Sequence, residues 1–379
     1  MGPLAGFRII EMGGIGPGPF AAMLLADMGA EVIRVERASS EHSSPYEVTL
    51  RGRKSIALNL KSEEGVQLLL KLIATADGLI EGFRPGVMEK LGLSPEVCLQ
   101  HNPKLVFGRM TGWGQYGPLA QTAAHDINYI AITGALSSIG HKQDGPSVPL
   151  NLLGDFGGGG LYLVMGMLAA MLEAQKSGKG QVVDAAISDG VASLMTMIQG
   201  YRAMGMWSLE RQDNLFDGGA HFYGTYECAD GKWVSIGAIE IHFYEELVQR
   251  LGISDKVGEI DYAVQFDKQK WQELRPVFAQ RIKEKTRDEW CEIFAGSDAC
   301  FAPVLDIDEA PEYAHNKERQ AFVTVAGVTQ SAPAPRFSRT PSQVQHPPVP
   351  AGSDTEQVFA ELGLSQQEIQ ELRRSGVIS

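Results

Sequence analysis

The sequence predicts an α/β protein with a Rossmann-like large domain, built on a mostly parallel sheet, and a smaller α+β domain. Two observations predict this class. Apolar runs of strand length alternate with helical stripes through residues 7–110, which is typical of a parallel sheet covered by helices on both faces. A separate group of strands and amphipathic helices then begins near Thr225.

The first residues predict a strand–helix–strand unit. Residues 7–12 and 31–36 have the apolar content of buried strands, and a helical run lies between them at 20–28. The loop before this helix has the glycine spacing G-x-G-x-G, whereas a dinucleotide-binding loop has G-x-G-x-x-G. Pro17 and Pro19 also lack N–H groups that a pyrophosphate would use. An NAD site is therefore not expected, although Glu36 stands near the position of a ribose-binding acid.

The rest of the large domain continues the alternation. Helices are expected to begin at Ser62 and Ser94, and a short one to cover 85–91. Further strands are expected over 54–60, 79–83, 105–110 and 181–186. Ligands of such sheets bind at the carboxyl ends of the strands. The basic residues that could form an anion site there are Arg34, Arg37, Arg51, Arg53, Lys54, Lys61 and Arg84.

Charge and composition exclude several classes of protein. The 379 residues carry a formal net charge of −13, which argues against binding nucleic acid or an anionic membrane surface. Cys98, Cys228, Cys291 and Cys300 have no metal-ligand spacing, so no metal site is expected. The longest apolar run, residues 161–172, is short for a membrane span. We therefore expect a cytoplasmic protein without membrane insertion.

Residues 124–160 contain the candidate catalytic groups. Ala-His-Asp-Ile-Asn-Tyr opens one predicted helix and Gly-Asp-Phe-Gly-Gly-Gly-Gly opens another, which places His125 and Asp155 at helix N-termini. A helix N-terminus favours developing negative charge, such as an enolate oxygen. Both residues could equally be simple helix caps. The glycines at 157–160 indicate that another group lies close to this backbone.

The second half of the chain predicts a smaller domain. A hairpin is expected over 225–228 and 233–236, followed by a helix over 243–251 with Glu240 at its start. The other expected features are a helical segment over 188–206, a linker over 207–224, two amphipathic helices over 267–296, an extended connector over 331–353, and a capping box of Ser365 and Glu368. The methionines 195, 197, 204 and 206 suit either a core or a surface that accepts apolar chains.

Several motifs together carry a resemblance over nearly the whole chain. They are Gly-Pro-Gly-Pro at 16–19, Arg-Val-Glu-Arg at 34–37, Arg-Gly-Arg-Lys-Ser at 51–55, His-Asp-Ile-Asn-Tyr at 125–129, Gly-Asp-Phe-Gly-Gly-Gly at 154–159, Gly-Lys-Gly-Gln-Val-Val-Asp at 178–184, and Pro-Ala-Pro-Arg-Phe-Ser at 333–338. In this order they resemble the family of class III CoA transferases and α-methylacyl-CoA racemases, and most closely its racemase branch.

The resemblance implies a particular organisation of the chain. Two subunits would interlock through linkers into a homodimer, and CoA would enter as part of the acyl-CoA substrate, with no separate cofactor. The implied parts are a CoA-binding large domain at 1–187, a linker at 188–224, a small domain at 225–310, a linker at 311–330, and a C-terminal segment at 331–379 that returns to the large domain.

The resemblance also implies the residues of the site. The CoA contacts would be Arg37, Leu58, Asn59, Leu60, Lys61, Gly82, Phe83, Arg84, Lys90, Ala124, Asp126, Ile127, Asn128 and Tyr129. Ala124 and Lys90 depart from the glycine and arginine that are usual in the family. Glu240 would pair with the histidine of the other subunit, but it is followed by Ile-His where the family more often has proline and a polar residue.

The function implied is interconversion of (2R)- and (2S)-2-methylacyl-CoA through an enolate, a role in fatty acid and lipid metabolism. His125, oriented by Glu240, would serve one face of the substrate and Asp155 the other. An Asp needs a raised pKa to act as an acid near neutral pH. Two alternatives remain: a class III CoA transferase in which Asp155 is the nucleophile, and a CoA-binding protein without catalytic activity.

Overall fold

The computed structural model describes residues 2–37 and 44–379. The strands, in chain order, are β1 (Arg8–Met12), β2 (Glu31–Arg37), β3 (Arg53–Leu58), β4 (Gly78–Glu81), β5 (Val106–Thr111), β6 (Gly140–His141), β7 (Gly145–Pro146), β8 (Gln181–Ala186), β9 (Tyr223–Glu227), β10 (Trp233–Gly237), β11 (Phe301–Val304), β12 (Phe322–Val325) and β13 (Val328–Ser331).

Helices occupy most of the remaining ordered segments. The α-helices, in chain order, are α1 (Pro17–Asp27), α2 (Glu63–Ile73), α3 (Val87–Lys90), α4 (Pro95–His101), α5 (Asp126–Ala131), α6 (Ala135–Ser138), α7 (Leu161–Ser177), α8 (Ile187–Leu194), α9 (Thr196–Ala203), α10 (Ile241–Leu251), α11 (Ser254–Val257), α12 (Tyr262–Gln265), α13 (Lys268–Ile282), α14 (Arg287–Phe294), α15 (Ala314–Glu318), α16 (Thr355–Glu361) and α17 (Gln366–Arg374). Short 3-10 turns cover Val48–Leu50 and Ala310–Glu312, and a π-helix covers Leu152–Gly160.

The described residues form two compact units. The first contains Met1–Thr133, Pro149–Met195 and Gln320–Ser379, and the second contains Gly134–Val148 and Thr196–Arg319. The second unit therefore includes residues that the sequence assigned to the small domain and most of its flanking linkers. The predicted C-terminal segment belongs to the first unit.

The first unit is built on a parallel sheet with the order β3-β2-β1-β4-β5-β8. This confirms the predicted fold class and its strands. The order reverses between β1 and β4, and in open α/β sheets the crevice at such a switch point is the usual ligand site. Ile9, Ile10, Val32 and Ile33 are fully buried, because helices cover both faces of the central strands.

Helix starts in the first unit follow the predicted capping residues. The Ser62 hydroxyl accepts the Gly65 N–H at 3.1 Å and the Ser94 hydroxyl accepts the Val97 N–H at 3.3 Å. Ser365 and Glu368 form the predicted capping box of α17. The chain then returns to the sheet, because Ile378 pairs with Leu58 at the carboxyl end of β3.

The helix that contains the apolar run of residues 161–172 is longer than this run indicates. The π-helix and α7 form one 26-residue helix, Leu152–Ser177, which is long and apolar enough in composition to cross a membrane. The apolar run at 161–172 therefore predicts too short a length for this helix. Within the first unit, α7 packs on β5 and β8, and Leu163 and Met167 are fully buried. This face of the helix therefore belongs to the core of the first unit.

The second unit has an antiparallel sheet with the order β11-β10-β9, and β9 and β10 form the predicted hairpin. Its core contains Phe222, Tyr244, Phe278 and Trp290, all nearly inaccessible to solvent. α10, α13 and α14 supply most of the helical side of this core.

Residues 207–224 are packed, whereas the sequence predicts an unpacked linker there. Ala220, His221 and Phe222 are buried. The Asn214 side chain accepts the Ser208 N–H at 2.7 Å and donates to an Asp217 carboxylate oxygen at 2.8 Å. These side-chain hydrogen bonds make Gly218 and Gly219 part of an ordered turn, because Asn and Asp satisfy nearby backbone groups.

His221 is a buried titratable group in this core. Its Nε2 lies 2.7 Å from the Tyr244 hydroxyl, and its ring packs edge-on against Phe222 and Phe278. Burial, followed by the positive charge of Arg275, lowers the pKa of His221 to about 3. The folded second unit therefore holds a neutral imidazole at neutral pH.

We expect His221 to make the second unit less stable in acid. Below an unfolded-state pKa of about 6.5 the unfolded chain binds a proton that the folded chain does not, so the free energy of unfolding should fall by about 1.4 kcal/mol per pH unit. Chemical denaturation at several pH values measures this slope. H221Q should be less stable at neutral pH but should have a shallower slope between about pH 6.5 and about pH 4.5. An unchanged slope would assign the pH dependence to other groups.

Candidate active site

A cavity of about 930 Å³ lies at the carboxyl ends of β1, β2, β3 and β4, at the switch point of the sheet. Its apolar lining includes Met12, Val35, Val87 and Leu91. Six of the predicted CoA contacts also line it, namely Arg37, Leu58, Asn59, Leu60, Lys61 and Phe83. The cavity therefore combines an apolar surface with basic side chains at its edge, which suits a nucleotide and its phosphates.

The basic residues near this cavity fall into two groups. Arg34, Arg51, Arg53 and Lys54 form ion pairs with carboxylates of the same unit. Arg37, Lys61 and Arg84 are exposed, and none of them forms an ion pair within residues 2–37 and 44–379. The last three are therefore the better candidates for phosphate contacts, because the side chains of the first four already interact with carboxylates.

A charged network with little solvent exposure forms part of the wall of this cavity. The Arg34 guanidinium contacts the Glu11 carboxylate at 2.6 Å and the Glu36 carboxylate at 3.3 Å, and it donates to the Gly14 carbonyl at 3.1 Å. Ser55 donates to the other oxygen of Glu36 at 2.6 Å. Because both Glu36 oxygens are engaged, Glu36 is not arranged as a ribose-binding acid.

A second cavity, of about 220 Å³, adjoins the first at Phe83, which lines both. The predicted CoA contacts Gly82, Arg84, Ala124 and Tyr129 line it, together with the candidate base His125. Its other lining residues are Pro85, Thr111, Gly112, Trp113, Ala120, Thr122 and Ala123. Gly112 and Trp113 were not among the predicted site residues, although both follow β5 at the ligand-binding edge of the sheet.

Tyr129 is fixed at the wall of this second cavity. Its hydroxyl donates to the Ala124 carbonyl at 2.6 Å, and its ring packs edge-on against Trp113 with 4.8 Å between centroids. A Cβ atom on residue 112 would lie 1.9 Å from this ring. Residue 112 must therefore be glycine if Tyr129 is to occupy the observed position, because any larger side chain would overlap the ring.

His125 stands at the start of α5, as predicted. Its backbone N–H donates to the Asn128 side-chain oxygen at 3.1 Å, and its carbonyl accepts the Asn128 N–H at 2.8 Å. These bonds hold the backbone of His125, while the residue itself remains exposed beside the cavity. The imidazole is therefore accessible to a bound molecule.

Asp155 lies in the first turn of the π-helix, a rare conformation that often occurs at functional sites. Its backbone N–H donates to Asp126 Oδ1 at 2.6 Å. Burial, followed by the negative charge of Asp126, raises the pKa of Asp155 to about 6, although the Asn151 hydrogen bond and His125 act in the opposite direction. The carboxyl group can therefore gain or lose a proton near neutral pH, as an acid–base residue requires.

Asp126 connects the two candidate catalytic residues. It follows His125 in α5, and its Oδ1 accepts the Asp155 N–H. Its Oδ2 is buried and has no hydrogen-bond partner in the described part of the chain. A Cβ atom at residue 154 would lie 2.1 Å from Asp126 Oδ1, so Gly154 permits this close contact.

Protein groups, and not a ligand, lie against the glycines at 157–160. A Cβ atom at 158 would meet Val191 of α8 at 2.5 Å, and one at 160 would meet the Phe20 ring of α1 at 2.7 Å. Phe20 also stacks on Phe156 at 4.4 Å between centroids. The glycines thus let α1 and α8 approach the π-helix, and these protein groups are the close neighbours that the glycines predict.

The remaining predicted site residues lie outside the linings of the two cavities. Ile127 and Asn128 lie in α5, and Lys90 is exposed at the end of α3; none of these three lines either cavity. Glu240 is exposed at the N-terminal cap of α10 in the second unit. Its pairing with His125 stays a prediction.

Comparison with known proteins identifies the family. Residues 4–355 match the model described as CoA-transferase family III. The chain belongs to CoA-transferase family III. The predicted resemblance is thereby confirmed at the level of the family.

Relatives within CoA-transferase family III match over nearly the full length. Alpha-methylacyl-CoA racemase of Mus musculus is 44% identical over 379 residues, which cover 99% of this chain and 97% of that protein. The Homo sapiens protein of the same name is 42% identical with the same coverage. The crystal structure of a CAIB/BAIF family protein from Brucella suis has a TM-score of 0.82 at 25% identity, covering 95% of this chain and 99% of that one.

Proposed function

We propose that the chain is an isomerase that interconverts (2R)- and (2S)-2-methylacyl-CoA thioesters by 1,1-proton transfer. The observation that carries this proposal is the proximity of two different acid–base groups, His125 and the Asp155 carboxyl, whose pKa is raised to about 6. Full-length similarity to two proteins named alpha-methylacyl-CoA racemase supports it.

The proposed reaction has two proton transfers. One residue of the pair removes the α-proton of the thioester, whose electrons move into the carbonyl and form an enolate. The other residue then returns a proton to the opposite face of the α-carbon, and the carbonyl is restored. The backbone N–H groups at the start of α5 stabilise the enolate oxygen. Which residue acts first depends on the enantiomer bound.

The larger cavity binds the CoA portion in this proposal. Its apolar lining accepts the adenosine, and Arg37 and Lys61 in this cavity contact the phosphates together with Arg84 of the adjoining cavity. Phe83 lies where the two cavities adjoin, so the pantetheine chain passes this residue toward His125. No cofactor other than the CoA of the substrate takes part.

We expect K61A to weaken substrate binding without changing the chemistry. Lys61 lines the larger cavity, far along the chain from the catalytic pair, and losing one charged phosphate contact should raise the KM for acyl-CoA about three- to tenfold. The value of kcat should stay within about twofold, because Lys61 does not touch the reacting carbon. Steady-state kinetics of K61A and of K71A, which alters an exposed lysine outside both cavities, provide the measurement and its control.

We expect the acid limb of the rate profile to lie near pH 6. The active enzyme holds one proton between His125 and Asp155, and the doubly protonated form has no base. Because burial and Asp126 raise the pKa of Asp155 to about 6, kcat/KM should fall as the pH decreases through this value. D126N removes the neighbouring charge but keeps an oxygen that can accept the Asp155 N–H. Its acid limb should therefore move to lower pH; an unmoved limb would contradict the assignment.

The proposed active form is a cytoplasmic homodimer with a role in fatty acid and lipid metabolism. Leu161, Met165 and Leu172 on α7 are each more than half exposed, and an apolar surface of this kind suits contact with a second copy. Met197, Met204 and Met206 are also exposed, which favours the surface interpretation of the methionines over the core one. In the dimer, Glu240 of one copy orients His125 of the other.

Deuterium incorporation tests the proposed reaction against its alternatives. The protein is incubated in D2O with one enantiomer of a 2-methylacyl-CoA, and α-deuteration and optical purity are followed together. Racemisation with deuterium at the α-carbon is expected. Transfer of CoA to a labelled free acid without α-exchange would instead establish Asp155 as a nucleophile in a transferase. Acyl-CoA binding with neither reaction would leave only the non-catalytic alternative.

A further inference from the structure

Glu81, Arg109 and Glu89 form an ion-pair network, called the bracket below. It holds the segment 82–91, which contributes lining residues to both cavities. Glu81 is the last residue of β4, Arg109 lies on β5, and Glu89 lies on α3. The Arg109 Nε donates to Glu81 Oε1 at 2.8 Å, and Arg109 Nη1 donates to Glu89 Oε1 at 2.8 Å. The Arg109 guanidinium thus links the Glu81 carboxylate, which precedes the loop in the chain, to the Glu89 carboxylate, which follows it.

This bracket also holds the loop backbone directly. Glu81 Oε2 accepts the Phe83 N–H at 2.7 Å, so both oxygens of this carboxylate are engaged. Phe83 lines both cavities, and Val87 of α3 lines the larger one. The bracket therefore fixes both ends of the segment 82–91, from the residue shared by the cavities to the helix that forms the cavity wall.

The bracket is buried where it meets the sheet. Glu81 is inaccessible to solvent and Arg109 is 7% exposed, whereas the Glu89 side chain is 39% exposed. A buried ion pair contributes little net stability compared with apolar residues of the same volume. Its hydrogen bonds are directional, however, and the planar guanidinium constrains two carboxylates at once. This geometry suits positioning better than general stabilisation.

We propose that the Glu81–Arg109–Glu89 bracket positions Phe83 and α3 for CoA binding, with Arg109 as a positioning residue that does not touch the substrate. The inference rests on the proposed function, because it takes CoA as the molecule bound in the larger cavity. It assigns part of the CoA affinity to residues outside the cavity lining.

The first unit contains matched ion pairs away from both cavities. Arg51 and Asp27 form a buried pair at 2.6 Å, comparable to Arg109 and Glu81, and neither residue lines a cavity. Glu31 accepts from Arg8 at 2.6 Å and has a side chain 31% exposed, comparable to Glu89. If the bracket only stabilised the fold, substitutions in the bracket and in these two control pairs would change the Kd for CoA to a similar extent.

The test is calorimetric titration of the full-length protein with CoA, together with thermal unfolding. R109M should raise the Kd for CoA about tenfold, and R109K, which cannot bridge both carboxylates, should recover only part of this loss. R51M should lower the unfolding temperature but change the Kd by less than about twofold. If R109M does not fold, the same comparison is made with the milder substitution E89Q and its control E31Q. E89Q should raise the Kd for CoA about threefold.

The outcomes separate this inference from the proposed function. Equal Kd values for the wild type and E89Q, or equal losses in R109M and R51M, would overturn the positioning role while CoA binding stands. A wild-type protein that does not bind CoA would instead remove the proposed function, and with it the basis of this inference. Loss of affinity confined to the bracket variants supports both.

Discussion

D155N is expected to lose racemisation in both directions while it retains α-proton exchange on one enantiomer. Without Asp155, an α-proton that faces this residue cannot be removed, and after His125 has removed a proton from its own face the Asp155 face cannot be reprotonated. His125 can still remove and return the proton on its own face, with retention of configuration. Loss of an acid–base group reduces a rate by about 10²- to 10⁴-fold. Exchange measured in D2O on each enantiomer separately distinguishes these events.

H125A provides the complementary control for this result. It should lose racemisation equally but should retain exchange only on the other enantiomer, since Asp155 with its pKa raised to about 6 remains as the single base. If both variants retained exchange on the same enantiomer, the assignment of the two residues to opposite faces would be wrong. Loss of all exchange in D155N, with CoA transfer lost as well, would favour the nucleophilic role.

G112A is expected to have the largest effect among substitutions that leave every acid–base group in place. The new Cβ atom would lie 1.9 Å from the Tyr129 ring, so the ring must move and its hydrogen bond to the Ala124 carbonyl must break. Such overpacking costs about 1–3 kcal/mol. Because Ala124 precedes His125, the misplacement reaches the candidate base, and kcat/KM should fall about 100-fold.

Steady-state kinetics and thermal unfolding together test the G112A prediction. G200A is the control, since a Cβ atom at residue 200 would meet no other atom within 4 Å and alanine favours a helix. Its activity should match the wild type. The double variant G112A/Y129A separates the causes: it should recover part of the stability lost in G112A, because the clashing ring is gone. No recovery would show that residue 112 acts through another contact.

The strands and the helix starts could be predicted because local sequence encodes them. Apolar runs identified the strands of the parallel sheet, and Ser62, Ser94 and Ser365 identified helix starts through their own hydroxyl groups. The ligand-binding edge followed from topology alone. His125 and Asp155 were found for the same reason, since both are close in sequence to a helix start, although their catalytic roles stay predictions.

Features that depend on contacts between distant segments could not be predicted. The sequence gives no sign that Arg34 and Arg53 both meet Glu11, whereas Arg37 and Lys61 remain outside such pairs in the described residues. The glycines at 157–160 indicate a close neighbour but not its identity, because the approach of α1 and α8 is a tertiary contact. Likewise, turn residues at 207–224 indicate a loop but do not tell whether it is packed.

The pairing of Ile378 with Leu58 affects the order in which the protein can be completed during synthesis. The Val377 carbonyl also accepts the Asn59 N–H at 2.8 Å, next to residues that line the larger cavity. The second unit ends at Arg319 and can gather all its residues while the ribosome is still translating. The first unit, in contrast, cannot make these contacts at the carboxyl end of β3 until residues 377 and 378 have been synthesised.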